Sequence, residues 1–264
     1  MKEVYVSDEE YNTYYETLSN LRRRIVKDIP VESNTKILDV GTGYAYFTIE
    51  IAKTNKNVRL TGIDISKECV YKARINVKKE KLQNCVEIKK MDASKMEFND
   101  EEFDMVVNFT GLEDIHMTRG NTGVFKTFSE VNRVLKNESY FCFVVMPPEE
   151  METAAQKTEV ELFSYICNAT WLSVDEYLKM LDDNGFKLTS RKNYYTNKKL
   201  TLEQAKEEII YTCDNDPKIY GVKTKSFDDI WNKFGEDIEK NGLGHYSKVV
   251  LFIARKILDS PKNI

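Results

Sequence analysis

Short apolar runs and helical apolar patterns alternate along most of the chain. Residues 36–40 (KILDV) read as a strand, 44–54 as a helix, 58–63 (VRLTGI) as a strand, a helix opens at Ser66, and a strand follows near 85–90. The alternation continues with FDMVVNF (103–109), a helix around 123–136, and SYFCFVVM (139–146), whose unbroken hydrophobicity suits a strand covered on both faces. Pro147-Pro148 stops that run. Strands alternating with helices predict βαβ units and a parallel sheet. Ahead of them, residues 8–27 carry aromatic and aliphatic side chains at helical spacing behind an acidic first turn, Tyr11, Tyr14 and Tyr15 among them. Behind them come helices near 149–168 and 173–183, the second ended by Asn184-Gly185. Two strand-like runs, FKLTSRKNYY and YSKVVLFIARK, close the pattern about fifty residues apart. So long a gap is an insertion rather than a turn. Within it, TLEQAKEEIIYTC and SFDDIWNKFGEDIEKNG each open on a Thr or Ser cap with an acid or Gln close behind.

The expected organisation is one domain over 1–264: an N-terminal helical cap (1–34), a Rossmann-like core (35–195 and 245–258) and a helical insertion or lid (196–244). A chain of 264 residues can bury one substantial core. Charge removes some partners. The 39 basic residues nearly cancel the 43 acidic ones, leaving a formal charge of -4, so no broad cationic surface is available to track phosphates and nucleic acid is not expected. Five cysteines form an odd set without a CxxC pair, and MKEVYVSDEEYN has no apolar signal core, which points to a reduced, cytoplasmic setting. No apolar run approaches the roughly 20 residues of a membrane span, so no membrane partner is expected.

Chemistry gathers at the end of the first strand. ILDVGTGYAYF (37–47) runs through Asp39, turns at Gly41-Thr42-Gly43 and enters a helix. Glycines there let a ligand touch the main chain, while the helix N-terminus offers unpaired N–H groups. A dinucleotide fingerprint needs a third glycine three positions after Gly43, where Tyr46 stands, and the Gly-Lys-Ser/Thr of a P-loop is absent. With both phosphate readings weakened, the acid at Asp39 fits a ligand carrying a cation, an amino group or a sulfonium. S-adenosylmethionine is such a ligand. The second strand ends at Asp64, whose carboxylate can accept both ribose hydroxyl hydrogens, and Ile65 can cover one adenine face. After the third strand, Asp92 can accept the adenine amino hydrogen while the Ala93 backbone serves a ring nitrogen. A lone Asp after a strand is ordinarily a cap or turn former. An ordered series at successive strand ends is harder to reach by accident, because ligands of open α/β sheets bind at that edge.

With these residues in hand, the chain resembles the class I S-adenosylmethionine-dependent methyltransferases. ILDVGTGYAYF is similar to their glycine-rich first motif, LTGIDIS to the ribose-binding second, MDAS to the adenine-binding third and FDMVVNF, with Asn108, to the fourth. The resemblance covers roughly 35–146, with LSVDEYLKMLDDNGFKL and HYSKVVLFIARK matched more loosely. It implies a doubly wound seven-stranded sheet, mostly parallel, in which the last two strands form an antiparallel pair at the edge and the last strand runs against the others. It also implies cofactor contacts from Asp39, Gly41, Thr42, Gly43, Asp64, Ile65, Asp92, Ala93 and Asn108. Ala45 stands where many members carry a third glycine, a small change. Asn108-Phe109-Thr110-Gly111 departs from the Asn/Asp-Pro-Pro-aromatic of enzymes that methylate DNA bases or glutamine amides, and argues against such acceptors.

For the acceptor, a small molecule is expected, held under a lid of the N-terminal helix and the insertion. The loop GLEDIHMTRG after the fourth strand holds Glu113, Asp114 and His116. The accepting atom, O, N, S or C, is left open; His116 is the candidate base for an oxygen, nitrogen or sulfur acceptor, though it can equally cap the following helix. His245 is read as structural, on the expectation that the last strand begins away from the cofactor edge. Alternatives are a protein or peptide methyltransferase, a nicotinamide-dependent oxidoreductase, which shares the strand, turn and acid, and an arsenite-type methyltransferase holding a soft metalloid on Cys167 and Cys213. No other metal is expected.

Overall fold

The computed structural model describes residues 18–257, so Tyr11, Tyr14 and Tyr15 lie outside the described residues. Its elements are α1 (18–26), β1 (Lys36–Val40), α2 (Tyr46–Thr54), β2 (Arg59–Asp64), α3 (Lys67–Lys79), β3 (Val86–Lys90), β4 (Phe103–Phe109), α4 (Gly111–Val134) and β5 (Leu135–Val145). They continue with α5 (Ala154–Ile166), α6 (Val174–Asp183), β6 (Phe186–Tyr195), β7 (Lys199–Leu200), α7 (Leu202–Tyr220), α8 (Phe227–Asn241), β8 (Leu243–Gly244) and β9 (Lys248–Lys256).

Seven strands form one sheet in the order β3-β2-β1-β4-β5-β9-β6. β9 pairs antiparallel with both β5 and β6, so β6 runs with the first five strands and β9 alone runs against them. Residues alternate between the two faces as a covered strand requires. Along β9, Val249, Leu251 and Ile253 join the layer that holds α1, α2 and α3, while Val250, Phe252 and Ala254 join the layer of α4 and α6. The second layer is knit by aromatic rings, Phe143 stacking on Phe252 at 5.0 Å. A third, smaller core lies off the sheet: Leu162 and Ile166 of α5 pack with Ala205 and Ile209 of α7 and Ile230, Phe234 and Ile238 of α8. β7 and β8 pair at the base of that insertion.

One helix differs from the sequence expectation. The segment 111–120, read as a loop, is helical from Gly111 and joins the expected helix across a kink at Gly120 (φ 65°, ψ -171°). The strand after it is longer than expected and starts directly at Leu135. Glycines at 111, 120 and 123 mask a helical pattern that tertiary packing of Leu112, Val124, Phe128 and Val131 makes stable.

The strand order reverses between β1 and β4, whose following helices lie on opposite faces. That split opens a crevice at the carboxyl edge. An antiparallel strand starts at the edge where its parallel neighbours end. Residues 245–247 therefore enter β9 beside the crevice, which corrects the expectation that His245 begins away from it.

Candidate functional site

The turn after β1 is lashed down on three sides. Gly41 (φ 67°), Gly43 (φ 53°) and Ala45 (φ 65°) all take the left-handed conformation. Thr42 N donates to Ile63 O at 2.9 Å, Ala45 N to Thr42 O at 2.8 Å, and Gly43 N to Asp64 Oδ2 at 2.9 Å. From β4, Asn108 Nδ2 donates to Val40 O at 2.6 Å. A Cβ on Gly111 would stand 2.7 Å from Asn108 Nδ2 and 3.0 Å from Gly41 O, so the two loops meet backbone to backbone. A Cβ on Gly43 would meet nothing within 4 Å. That side of the turn is open to a ligand.

Asp39 is 1% exposed. Its Oδ2 accepts from Thr42 Oγ1 at 2.9 Å and from Thr48 Oγ1, while Oδ1 has no partner. Burial pushes its pKa up to about 6 despite the two hydroxyl donors. Asp64 accepts from Gly43 N and, through Oδ1, from Ser66 N at 2.8 Å, and burial raises its pKa too. Both oxygens keep a lone pair.

Three connected cavities run along this edge. The central one, about 300 Å³, is lined by Asp39, Gly41, Thr42, Gly43, Phe109 and Thr110, with Arg22 of α1 as the sole lysine or arginine among its described lining residues. The Arg22 guanidinium lies 5.1 Å from the Tyr46 ring centre and 5.3 Å from that of Phe109. A slot of about 40 Å³ continues between Asp64, Ile65, Asp92 and Ala93. At its mouth Asp92 accepts from Arg119 Nη2 at 2.9 Å and from Ser94. An inner cavity of about 220 Å³ opens between α4, α5, α7 and the segment before β9. Asp114 and Tyr220 border all three, and the Tyr220 hydroxyl lies 3.2 Å from Asp114 Oδ2.

The structure thus brings Asp39, Gly41, Thr42, Gly43, Asp64, Ile65, Asp92 and Ala93 to one continuous cleft. Two further candidates stand outside it. Asn108 is wholly buried, and its amide ties β4 to the turn rather than facing the cleft. His116 borders none of the three cavities, its Nε2 lying 2.7 Å from Asn121 Oδ1. Of the three candidates in that segment, Glu113 and Asp114 border the cavities. Sequence reasoning also missed Arg22, Glu159, Glu208, Asp216, Tyr220 and Tyr246, which arrive from α1, α5, α7 and the start of β9. Only a three-dimensional arrangement unites them. Against the metalloid reading, burial raises the Cys167 and Cys213 thiols above their ordinary pKa, keeping them protonated. Among the described residues no group of three or more His, Cys, Asp or Glu is placed to hold a metal. No described helix is long and apolar enough to cross a membrane.

The cleft fits S-adenosylmethionine on its own features: an unpartnered carboxylate oxygen beside an open glycine backbone, then a second carboxylate, then a slot with an apolar wall. Comparison with known proteins agrees. A family model described as a methyltransferase domain matches residues 31–185. The demethylmenaquinone methyltransferase of Staphylococcus saprophyticus is 30% identical over 123 residues, covering 46% of this chain and about half, 49%, of that protein. The 27-O-demethylrifamycin SV methyltransferase of Amycolatopsis mediterranei is 25% identical over 252 residues, covering 94% of this chain and 87% of its own. In fold, the chain is similar to a SAM-dependent methyltransferase from Methanosarcina mazei, with a TM-score of 0.58 at 18% identity over 87% of this chain and 95% of the other. With 31–185 covering more than half of its length, the chain belongs to the methyltransferase-domain family and is a class I S-adenosylmethionine-dependent methyltransferase.

Proposed function

We propose that the protein methylates a small molecule bound in the inner cavity. The observation that carries this reading is the position and size of that cavity: about 220 Å³, adjoining the central cavity through Thr110, Asp114 and Tyr220 and set between α4, α5, α7 and Tyr246. A folded protein does not fit there, which weighs against the protein-substrate alternative. Both named relatives carry small-molecule acceptors in their names, in keeping with this reading.

S-adenosylmethionine supplies a methyl group on a sulfonium, already activated for displacement. The chain's share of the work is then to bind, orient and exclude water. Asp64 is assigned to the ribose, Ile65, Asp92 and Ala93 to the adenine, and Asp39, Gly41, Thr42 and Gly43 to the methionine end. Arg22 is assigned to the carboxylate there, since a guanidinium pairs with it in a charge-assisted contact. Asn108 positions the turn. Thr110, at φ 55° an uncommon conformation for a β-branched residue, lies where the central and inner cavities meet. Held strain of this kind clusters at reacting centres.

Calorimetry with S-adenosylmethionine, S-adenosylhomocysteine and NAD in parallel tests the cofactor, and a metabolite pool incubated with labelled methyl donor tests the acceptor. Binding of the first two but not NAD, with label in the small-molecule fraction, is expected. Tyr46 in the place of a dinucleotide-site glycine makes the NAD outcome decisive against an oxidoreductase. Label confined to macromolecules would replace this reading with protein methylation.

A further inference from the structure

The inner cavity holds more carboxyl groups than the cofactor can use, and burial leaves them ready to ionise against a cation. Five carboxylates line it: Glu113 and Asp114 from α4, Glu159 from α5, and Glu208 and Asp216 from α7. Asp114 and Asp216 also face the central cavity, where the cofactor's own cations would lie. Glu113, Glu159 and Glu208 border the inner cavity and neither of the others. Glu159 is committed to the fold, accepting from Tyr246 N at 2.5 Å and Ser247 Oγ at 3.1 Å. Glu113 is not fully committed. It is 6% exposed, its Oε1 accepts from Met146 N at 2.9 Å, and its Oε2 has no partner. A buried carboxylate oxygen left without a donor at a cavity wall awaits one from a ligand.

The remaining wall completes the chemistry. No lysine or arginine is among the described lining residues, and Phe163, Trp171, Tyr220 and Tyr246 supply aromatic surface. Aromatic faces and carboxylates together favour an organic cation and disfavour a phenolate or carboxylate acceptor. Two cations act on the lining from outside it: Lys198 on Glu208 and His245, and Arg22 on His245 and Tyr246.

Building on the proposed function, we infer that the acceptor is a cationic amine, held by Glu113 and Glu208 against the aromatic wall. The bound ammonium first gives one proton to a cluster carboxylate. Its freed nitrogen lone pair then forms the N–CH3 bond as the S–CH3 bond breaks, the electron pair of that bond staying on sulfur as a thioether. Positive charge passes from sulfur to nitrogen, and the product is a methylammonium.

The test is calorimetry on the full chain saturated with S-adenosylhomocysteine. The probes are a panel of alkyl- and arylalkylamines that fit the cavity, 2-phenylethylamine among them, each paired with its alcohol and its carboxylate analogue. At least one amine should bind about tenfold or more tighter than its alcohol, with the carboxylate weakest. Glu113→Gln keeps an acceptor for Met146 N while removing the charge, and should cost that amine about tenfold in affinity. S-adenosylhomocysteine affinity should stay within about twofold. Glu208→Gln provides the same reading on a less buried residue should Glu113→Gln fold poorly. Amines that bind no tighter than alcohols, while S-adenosylhomocysteine binds normally, would overturn the amine assignment alone. Loss of S-adenosylhomocysteine binding to the unaltered chain would instead overturn the methyltransferase reading beneath it. EDTA-sensitive binding of Mg²⁺ or Zn²⁺ that displaces the amines would reassign the carboxylates to a metal.

Discussion

Ala45 stands at φ 65° with no exposed surface, at the N-terminal end of α2. A left-handed conformation costs an L-residue about 1–2 kcal/mol. Ala45→Gly would relieve that, but would lose a buried methyl, about 0.8 kcal/mol, and gain unfolded-state entropy opposing folding by about 0.4–1 kcal/mol. The terms nearly cancel, so denaturant unfolding of Ala45→Gly should show a change below about 1 kcal/mol; a gain of about 2 kcal/mol would mean the strain is larger than this. Gly111 has no such balance. Gly111→Ala forces a Cβ against Asn108 Nδ2 and Gly41 O, and should cost about 1–3 kcal/mol of stability together with cofactor affinity. Unfolding curves and S-adenosylhomocysteine titration check both, and wild-type values would show that the two loops part easily. Asp64→Ala should weaken S-adenosylmethionine binding by about 1–3 kcal/mol, since ribose donors lose a charged acceptor; unchanged affinity with intact folding would remove Asp64 from the site. At this scale the glycine turn and the strand-end aspartates were legible because each is a local pattern. Arg22 was not, because three consecutive arginines on a helix look alike until tertiary packing buries one of them.

Elements were legible where capping chemistry marks them. The boxes Thr201/Gln204 and Ser173/Glu176 open α7 and α6 where the sequence placed helix starts. The start of α4 was misread because Thr110, left-handed, offers no side-chain cap. α7 ends on Tyr220, whose side chain divides the cleft at Asp114. Tyr220→Ala should widen the passage between the three cavities and raise the S-adenosylhomocysteine dissociation rate about tenfold in stopped flow, roughly the worth of one hydrogen bond. An unchanged rate would mean that α7 does not gate release. Cutting the whole insertion away is a poorer probe, since Leu162 and Ile166 of α5 would lose the core they share with α7 and α8.

Across the molecule, the protonation of the cleft sets how stability follows pH. Burial raises Asp39 to about 6 and Glu113, Glu159 and Glu208 to about 7. The folded, ligand-free chain holds these protons more tightly than the unfolded chain, so their contribution is complete below about pH 4 and is lost as pH rises through about 7. Ion-paired surface acids such as Asp28 and Asp104, whose pKa values are lowered, lose theirs as pH falls below about 4. The melting temperature should therefore peak near about pH 5 and fall by several degrees toward about pH 8. A profile flat from about pH 5 to 8 would show that the cleft acids are hydrated and ordinary. The alternation of strands and helices was legible because each has its own period, and the resemblance gave the reversed direction of the last strand; only its consequence was missed, that a reversed strand starts at the edge where its neighbours end, which puts 245–247 beside the cleft. The helical insertion has a consequence for descent. The family match, 31–185, ends before β6, and everything from 196 to 244 emerges and returns at the acceptor side without crossing the sheet. Evolution could therefore rewrite one wall of the acceptor's chamber, the side that carries Glu208, in one contiguous stretch of gene, leaving the glycine turn and the strand-end aspartates untouched, and relatives sharing that turn should differ most in this stretch.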